Sequence, residues 1–586
     1  MNTTTPSSND DSRPRPLWMC LLPIAIACSI LAIYCCQLNL ELYKHTNPFY
    51  DSLSYNQQMH DAVIATQQDG ITAGFSKVWN SGATVLMPYV FGIVIGLFAE
   101  PSRMIGVWIQ AIYLFGFLSC VFWYLSRIRK ISDGVSLTAC LSFLTAACLY
   151  ASNGGVSDFR VDLLLCLSFG CTSVLMLGAY EQPSVKNYAL VGIAAAIACL
   201  SRATAPVYLV FALSPIAGLA LLTKPNRFEH LKGQAIAVVA ASVLAGWFFV
   251  LQFDTLYYYY FVWNTDANAS LTLMESAKHF EFAGRGIGVT IGYLAAAWAI
   301  GWLYFAFREQ AFRKALATIT SLRGVVPVLI WIGVSPVLML VLRGAGLNPF
   351  VSLPAVVGLV LALMLPLAHL LDSVKSRQSI AYASICLVVA LGWMSKQGWE
   401  NHQPSGFNEM TSLQRIVDVM LTDSRNHGVK EMRYGVAQLT SMCTGCVYST
   451  AMFDRDNVQS TLDYLVCDGI RFESSNTFDI AAEATWSEVE GETDDEKLGN
   501  LLAKGDEDID YLILPDDKTA GYIAETFAHN VINRHQVKLR QAILDRNWTP
   551  ISEPIATNEN ETVIVYRSKR MDNTIAALQA AESKLR

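Results

Sequence analysis

The residues able to do chemistry in this sequence are ionisable groups standing at the ends of apolar stretches. Asp51 lies in NPFYDSLSYNQQMHDAV, residues 47–63, flanked by Phe49, Tyr50 and Tyr55, with His60 and Lys77 farther along. Asp158, Arg160 and Asp162 cluster in SDFRVD, Arg202 stands in LSRATAP and Arg343 in LRGAGLNPF. An ionisable group at membrane depth costs a few kcal/mol on insertion scales. It persists where it pairs, where its stem lets it reach water, or where it works. Carboxylates at such a boundary could orient or deprotonate a hydroxyl or an amine, and arginines could clamp a phosphate with two donors. For any single residue, pairing or snorkelling explains as much. For the set, the recurrence of acids and bases at the same span ends favours a working site.

The elements that must position these groups are apolar helices. The chain has 586 residues, 53% hydrophobic and 16% charged, against about 25% charged in ordinary soluble domains. The deficit is local: residues 17–395 are apolar and 396–586 are ordinary. A membrane-crossing helix needs about 20 apolar residues. Spans of that kind fall near 17–37, 105–125, 135–151, 161–180, 188–204, 206–222, 233–252, 286–306, 324–342, 350–371 and 379–395, giving about eleven. A further run, Ala83 to Phe98, is read as a helix lying in or dipping into one leaflet. With that reading the N-terminus and the loops rich in Lys and Arg (126–134, 181–187, 223–232, 307–323 and 372–378) all fall on one side, the cytoplasmic one. Pro88 also fits a straight span poorly. The segments 38–104, 152–160, 201–205, 253–285, 343–349 and 396–586 then lie outside, and every candidate residue belongs to or borders one of them. Tyr257 to Trp263 reads as an interfacial aromatic belt.

The fold class expected is therefore mostly α: a disordered cytoplasmic arm over 1–16, a transmembrane bundle over 17–395 with a long first outer loop, 38–104, and a soluble α/β domain over 396–586. Within the last, 409–423 reads as helix, as does TAGYIAETFAHN. YGVAQL, YLVCDGI, YLILP and TVIVYR read as strands, and the acidic 485–508 as an exposed loop. Of the 14 cysteines, only Cys443, Cys446 and Cys467 fall in this domain. Cys443 and Cys446 form a CxxC whose simplest reading is a local disulfide, with a metal pair or a redox site less favoured. The net charge of −7 and the lack of a basic run argue against a nucleic-acid partner.

The order of these features resembles the GT-C superfamily of membrane glycosyltransferases, in particular its protein O-mannosyltransferase and lipid A aminoarabinose transferase branch. The likeness covers about residues 17–371 and its motifs are short. FYDSLSYNQQM matches the first outer loop with Asp51 at the family's catalytic acid. Lys77, Pro88 and 83–98 match a lysine, a proline and an in-plane helix. SDFRVD, with Asp158, matches the second acidic site. Arg202 in ACLSRATAP and Arg343 in LRGAGLNPFVSLPAVVGLVL match basic residues at later span ends. Two departures stand out: Ser52 follows Asp51 where many relatives carry a second acid, and the family's paired prolines are reduced to Pro88.

The resemblance implies transfer of a sugar from a polyprenyl-phosphate donor to a lipid, glycan or protein acceptor on the outer face of the membrane, in the setting of a bacterial inner membrane. Asp51 and Asp158 would be the catalytic acids. Arg202, Arg343 and Lys77 would hold the donor phosphate, and Tyr55, His60, Arg160 and Asp162 would line the acceptor side or support the site. The leaving group is a phosphate, so fixed cations should stabilise the charge that develops on it. Direct displacement with inversion needs no cofactor. A divalent metal remains an option from the oligosaccharyltransferase relatives, although hard cations want about six oxygen ligands and the second motif is poor in acids. The competing readings are a transporter or lipid flippase, which would carry its charges near the midplane and show internal repeats, and a membrane-anchored assembly protein, which would need no charged cavity.

Overall fold

The computed structural model describes residues 16–44, 50–80, 84–223, 225–258, 325–343, 353–374, 377–403, 409–437, 444–453, 458–460, 464–475, 477–478, 483–526 and 531–585. The expected span at 286–306 and the aromatic run beyond Tyr258 lie outside them. Among the described residues, five helices are long and apolar enough to cross a membrane: Leu17–Leu42, Met104–Ile128, Val161–Glu181, Ala205–Leu222 and Arg227–Leu251. Shorter apolar helices accompany them, and the body is that of an integral membrane protein.

The helices are α1 (Leu17–Leu42), α2 (Tyr50–Asp69), α3 (Ile71–Asn80), α4 (Met87–Gly96), α5 (Met104–Trp123), α6 (Asp133–Ser142), α7 (Val161–Glu181), α8 (Val185–Ser201), α9 (Ala205–Thr223) and α10 (Arg227–Ala241). After a gap come α11 (Val326–Arg343), α12 (Leu353–Val374) and α13 (Arg377–Asn401). Helix α7 is the axis of the bundle. Nearly all its residues from Val161 to Tyr180 are buried, and α5, α8, α9 and α12 pack on it. The helices whose apolar residues remain exposed are peripheral. On α1 these include Trp18, Leu22, Ile26, Ile30 and Ile33, and on α10 they include Val238 and Val239. That pattern suits side chains that meet lipid rather than protein.

One expectation is modified here. The span expected over 135–151 is α6 followed by two short 3-10 turns, Phe143–Thr145 and Ala147–Tyr150, so it is not one straight helix. The run 83–98 holds α4, only 10 residues long, about 15 Å at the usual helical rise and too short to cross. Pro88 sits in the first turn of α4, where its missing N–H removes no helical bond. Leu86, just before α4, donates its N–H to the carbonyl of Leu200 at 2.8 Å, which fixes the start of α4 to the end of α8. Between α2 and α3, Gly70 takes φ +90°, a conformation that favours glycine. The chain turns there, and α3 folds back against α2.

Among the described residues the C-terminal region contains α14 (Glu409–Asn426), α15 (Thr444–Phe453), α16 (Asp494–Asp508), α17 (Asp517–Thr526) and the strands β1 (Glu431–Val436), β2 (Val458–Ser460), β3 (Leu465–Cys467), β4 (Ile470–Ser474), β5 (Tyr511–Pro515), β6 (Thr549–Pro550), β7 (Ile555–Ala556) and β8 (Thr562–Arg567). The strands form one sheet of order β2-β3-β4-β1-β5-β8-β6, with β7 paired to β8. Strands β4 (Ile470–Ser474), β1 (Glu431–Val436) and β5 (Tyr511–Pro515) are mutually parallel at its centre. Strand β5 is buried along its whole length, as a central strand covered by helices on both faces must be. Two segments differ from the sequence reading. YLVCDGI is a hairpin rather than one strand: Asp468 (φ 51°) and Gly469 (φ 77°) make a two-residue turn between β3 (Leu465–Cys467) and β4, the turn that an Asp-Gly pair favours. The acidic 485–508 is largely helix, because Thr493 and Glu496 form a capping box at the start of α16. Asp494, Asp495 and Glu496 there complement the helix dipole. Leu498, Leu501, Leu502 and Gly505 line its buried face.

Candidate functional site

Helix polarity explains why charged side chains gather at one end of the bundle. α7 and α8 form an antiparallel hairpin, so the N-terminus of α7 and the C-terminus of α8 lie together. An acid is favoured at the first and a base at the second. Asp162 occupies the first turn of α7 and Arg202 caps α8. The Arg202 guanidinium lies 3.2 Å from the Asp162 carboxylate and donates to the hydroxyl of Tyr55 at 2.9 Å. Arg160 approaches the other oxygen of Asp162 at 3.6 Å and donates to Asn153 at 3.2 Å. Asp158, Arg160 and Asp162 are each 1% exposed and Arg202 is 8%. At that burial the charges are strongly coupled and poorly screened.

The SDFRVD loop is held through its backbone as well. Asp158 accepts the N–H of Gly154 at 2.7 Å, closing a turn in the way short acidic side chains do. Its own carbonyl accepts from Gln110 of α5 at 2.6 Å. The carbonyl of Ser157 accepts from Asn39 of α1, also at 2.6 Å. The Ser157 hydroxyl lies 2.7 Å from Nε2 of His402, and Nδ1 of His402 lies 2.6 Å from the carbonyl of Gly398. A carbonyl only accepts, so His402 donates from Nδ1 and receives the serine proton at Nε2. The ring of Phe159 meets Tyr55 edge-on at 6.5 Å.

A third arginine completes the cluster. Arg103, at the N-terminus of α5 and 7% exposed, lies over the ring of Tyr43 with its guanidinium carbon 4.6 Å from the centroid. Tyr43 ends α1. Burial and then the neighbouring Asp158 push its phenol well above the ordinary range. Burial and the charge of Arg103 push His60 down to about 4. The imidazole is therefore neutral near pH 7.

The structure thus brings together six of the sequence candidates, Tyr55, His60, Asp158, Arg160, Asp162 and Arg202. Lys77 lies half-buried in the last turn of α3. Asp51 is in the first turn of α2, one turn before Tyr55, and Arg343 is the last residue of α11. The side chains of Asp51 and Arg343 lie outside the described part of the structure. Arg103, Tyr43, Gln110 and His402 escaped the sequence reading. Arg103 and Gln110 carried a signal: a base just before an apolar span, and an amide within it. Among the described residues, no three His, Cys, Asp or Glu side chains gather as a metal group. Cys446 is buried in α15, and Cys443 lies outside the described residues.

No protein-family model matches the chain, and no curated protein matches it by sequence. Solved structures share its fold. The crystal structure of ArnT from Cupriavidus metallidurans in the apo state aligns over 94% of this chain and 98% of that one, with a TM-score of 0.51 at 10% identity. The structure of the same protein bound to undecaprenyl phosphate gives 94% and 97%, a TM-score of 0.50 and 9% identity. A cryo-EM structure of the arabinofuranosyltransferase AftD from Mycobacteria covers 93% of this chain and 41% of that one, at a TM-score of 0.44 and 14% identity. The fold of this chain is similar to that of ArnT along nearly the whole length of both chains.

Proposed function

We propose that this protein is an integral-membrane glycosyltransferase that moves a sugar from a polyprenyl-phosphate donor to a lipid, glycan or protein acceptor at the outer face of the membrane. The observation that carries this reading is the buried Tyr55–Arg202–Asp162–Arg160 network at the ends of α7 and α8. It sits within a fold shared along nearly its whole length with a protein whose structure holds undecaprenyl phosphate. A transporter or flippase would instead place its charged groups near the midplane.

In this reading Arg202, Arg343 and Lys77 hold the donor phosphate and stabilise charge on the leaving group. Asp51 orients and deprotonates the acceptor. Asp158 is the second acid, serving mainly to shape the loop that faces the acceptor, and Arg160, Asp162, Tyr55 and His60 support both. Displacement at the sugar carbon then inverts it in one step, with no cofactor required. The N-terminus is cytoplasmic, the bundle spans about 17–395, and the region 396–586 lies outside the cytoplasm.

The test is Asp51→Asn, which keeps size and polarity and removes the basic oxygen. Transfer should fall about 10²–10⁴-fold, the usual cost of a lost general base, while binding of undecaprenyl phosphate persists. Near-normal transfer would remove Asp51 from the base role. Lost binding in a folded variant would move it to the phosphate side.

A further inference from the structure

Two contacts tie the C-terminal region to the segments that carry the proposed acids. The first is Leu53. It lies on α2, two residues after Asp51, is 3% exposed, and belongs to the hydrophobic core of the C-terminal region rather than to that of the bundle. That core includes Met410, Ile416 and Met420 of α14, and Val447 and Ala451 of α15, and α2 packs directly on α15. The second is His402, 0% exposed, in the segment that leaves α13 toward the C-terminal region. Its Nε2 accepts the proton of Ser157, the residue before Asp158. Nothing in the chemistry of sugar transfer requires either contact. Leu53 packs into a different core from Tyr55, Met59, Ala62 and Val63, the residues of α2 that belong to the core of the bundle, and the Ser157–His402 pair is sealed from solvent.

Resting on the glycosyltransferase reading, we propose that the C-terminal region is part of the catalytic apparatus. It fixes the first turn of α2 through Leu53 and the SDFRVD loop through His402, so that Leu53 and His402 are positioning residues for the two acids. The physical basis is that reacting groups must be held to within a fraction of an ångström, and a misplacement of about 1 Å costs up to about 10²-fold in rate. Asp51 stands in the first turn of α2, where helix ends fray and need steadying. A single buried leucine inserted into a neighbouring core supplies that steadying. The loop at 153–160 is likewise not part of a helix or strand, and its register depends on Asn39, Gln110 and His402.

The experiment uses the full chain in lipid nanodiscs, with undecaprenyl phosphate as the binding probe and a panel of undecaprenyl-phosphate pentoses and hexoses as donors. Leu53→Ala should raise amide hydrogen exchange over 50–56 and lower kcat by about 10- to 100-fold. Affinity for undecaprenyl phosphate should stay within about twofold of wild type. Leu53→Met, which nearly conserves volume, should restore both. His402→Leu should raise exchange over 153–160 and lower kcat, and His402→Gln, which keeps an acceptor near the position of Nε2, should recover most of it. Unchanged exchange in Leu53→Ala and His402→Leu, or raised exchange with normal kcat, overturns the proposal. Failure of wild type to transfer from any donor sinks the glycosyltransferase reading instead, and the exchange results still decide whether the two contacts hold their segments.

Discussion

Asp162→Asn is the sharpest perturbation of the site, because one buried carboxylate faces two arginines. At 3.2 Å from Arg202 and 3.6 Å from Arg160, and with an effective dielectric of about 20, each pair is worth about 5 kcal/mol of direct attraction. Much of that attraction offsets the cost of burying the charges, so it is not net stability. Neutralising this carboxylate removes its charge from both buried ion pairs, and breaking a buried pair typically costs about 3–5 kcal/mol. Asparagine preserves shape, so no cavity adds to the loss. The assay is the apparent thermal transition of detergent-solubilised protein at a fixed scan rate, since large membrane proteins unfold irreversibly. Asp162→Asn should lower it clearly. Adding Arg202→Met should return part of the loss, because one stranded charge leaves with it, while Arg160 retains the rest. Undecaprenyl phosphate should raise the transition more in Asp162→Asn than in wild type, since its phosphate supplies the missing anion. A loss below about 1 kcal/mol, with no extra response to the lipid phosphate, would refute the placement of a tightly coupled buried charge group at this end of the bundle.

Two further outcomes follow from the same geometry. His60, with a pKa of about 4 in the folded chain against 6.5 for an exposed imidazole, is neutral in both states above pH 6.5 and contributes no pH dependence there. As pH falls from 6.5 toward 4 the unfolded chain takes up the proton first, so stability is lost by up to about 3 kcal/mol; His60→Gln should flatten that part of the stability–pH curve, and an unchanged curve would place His60 in water. Gly106→Ala would set a methyl 2.6 Å from Cβ and Cγ of Phe159, so it should destabilise by about 1–3 kcal/mol and raise amide exchange across 157–160, whereas a shift within about 0.5 kcal/mol would show that Phe159 has room to move.

The membrane body was legible because apolar length is a strong signal and charges are excluded from it. The starts and ends of α1, α5, α7, α8 and α9 follow the hydropathy closely. The errors came where a local signal competed with composition. Residues 135–151 are apolar enough to suggest a span, yet the helix breaks near Phe143, and hydropathy carries no information on that. The acidic stretch before Asp508 suggested a loop by charge, although Thr493 and Glu496 spell a helix start and the leucines after them keep helical spacing. Asp468-Gly469 is a hairpin turn by residue type, masked by the apolar run from Tyr464 to Cys467 before it.

The site divides along the same physical line. Asp158, Arg160, Asp162 and Arg202 were legible because each is an ionisable group where an apolar helix ends, and the antiparallel run of α7 and α8 forces such ends together. Their pairing was not legible. Asp158 and Arg160 stand two apart in sequence, but Arg160 reaches Asp162 and Asn153, and Asp162 is shared with Arg202 from another helix. Arg103 and Tyr43 were harder still, since their meeting depends on α1 ending where α5 begins. Hardest was the tie to the C-terminal region. Leu53 stands apart from the residues of α2 that pack into the bundle, and its burial appears only when a separate core closes over it. What a sequence reveals about a membrane site is therefore the cost of each group taken alone. The arrangement that repays the cost depends on which helix ends share a level in the bundle and on which neighbouring core covers them.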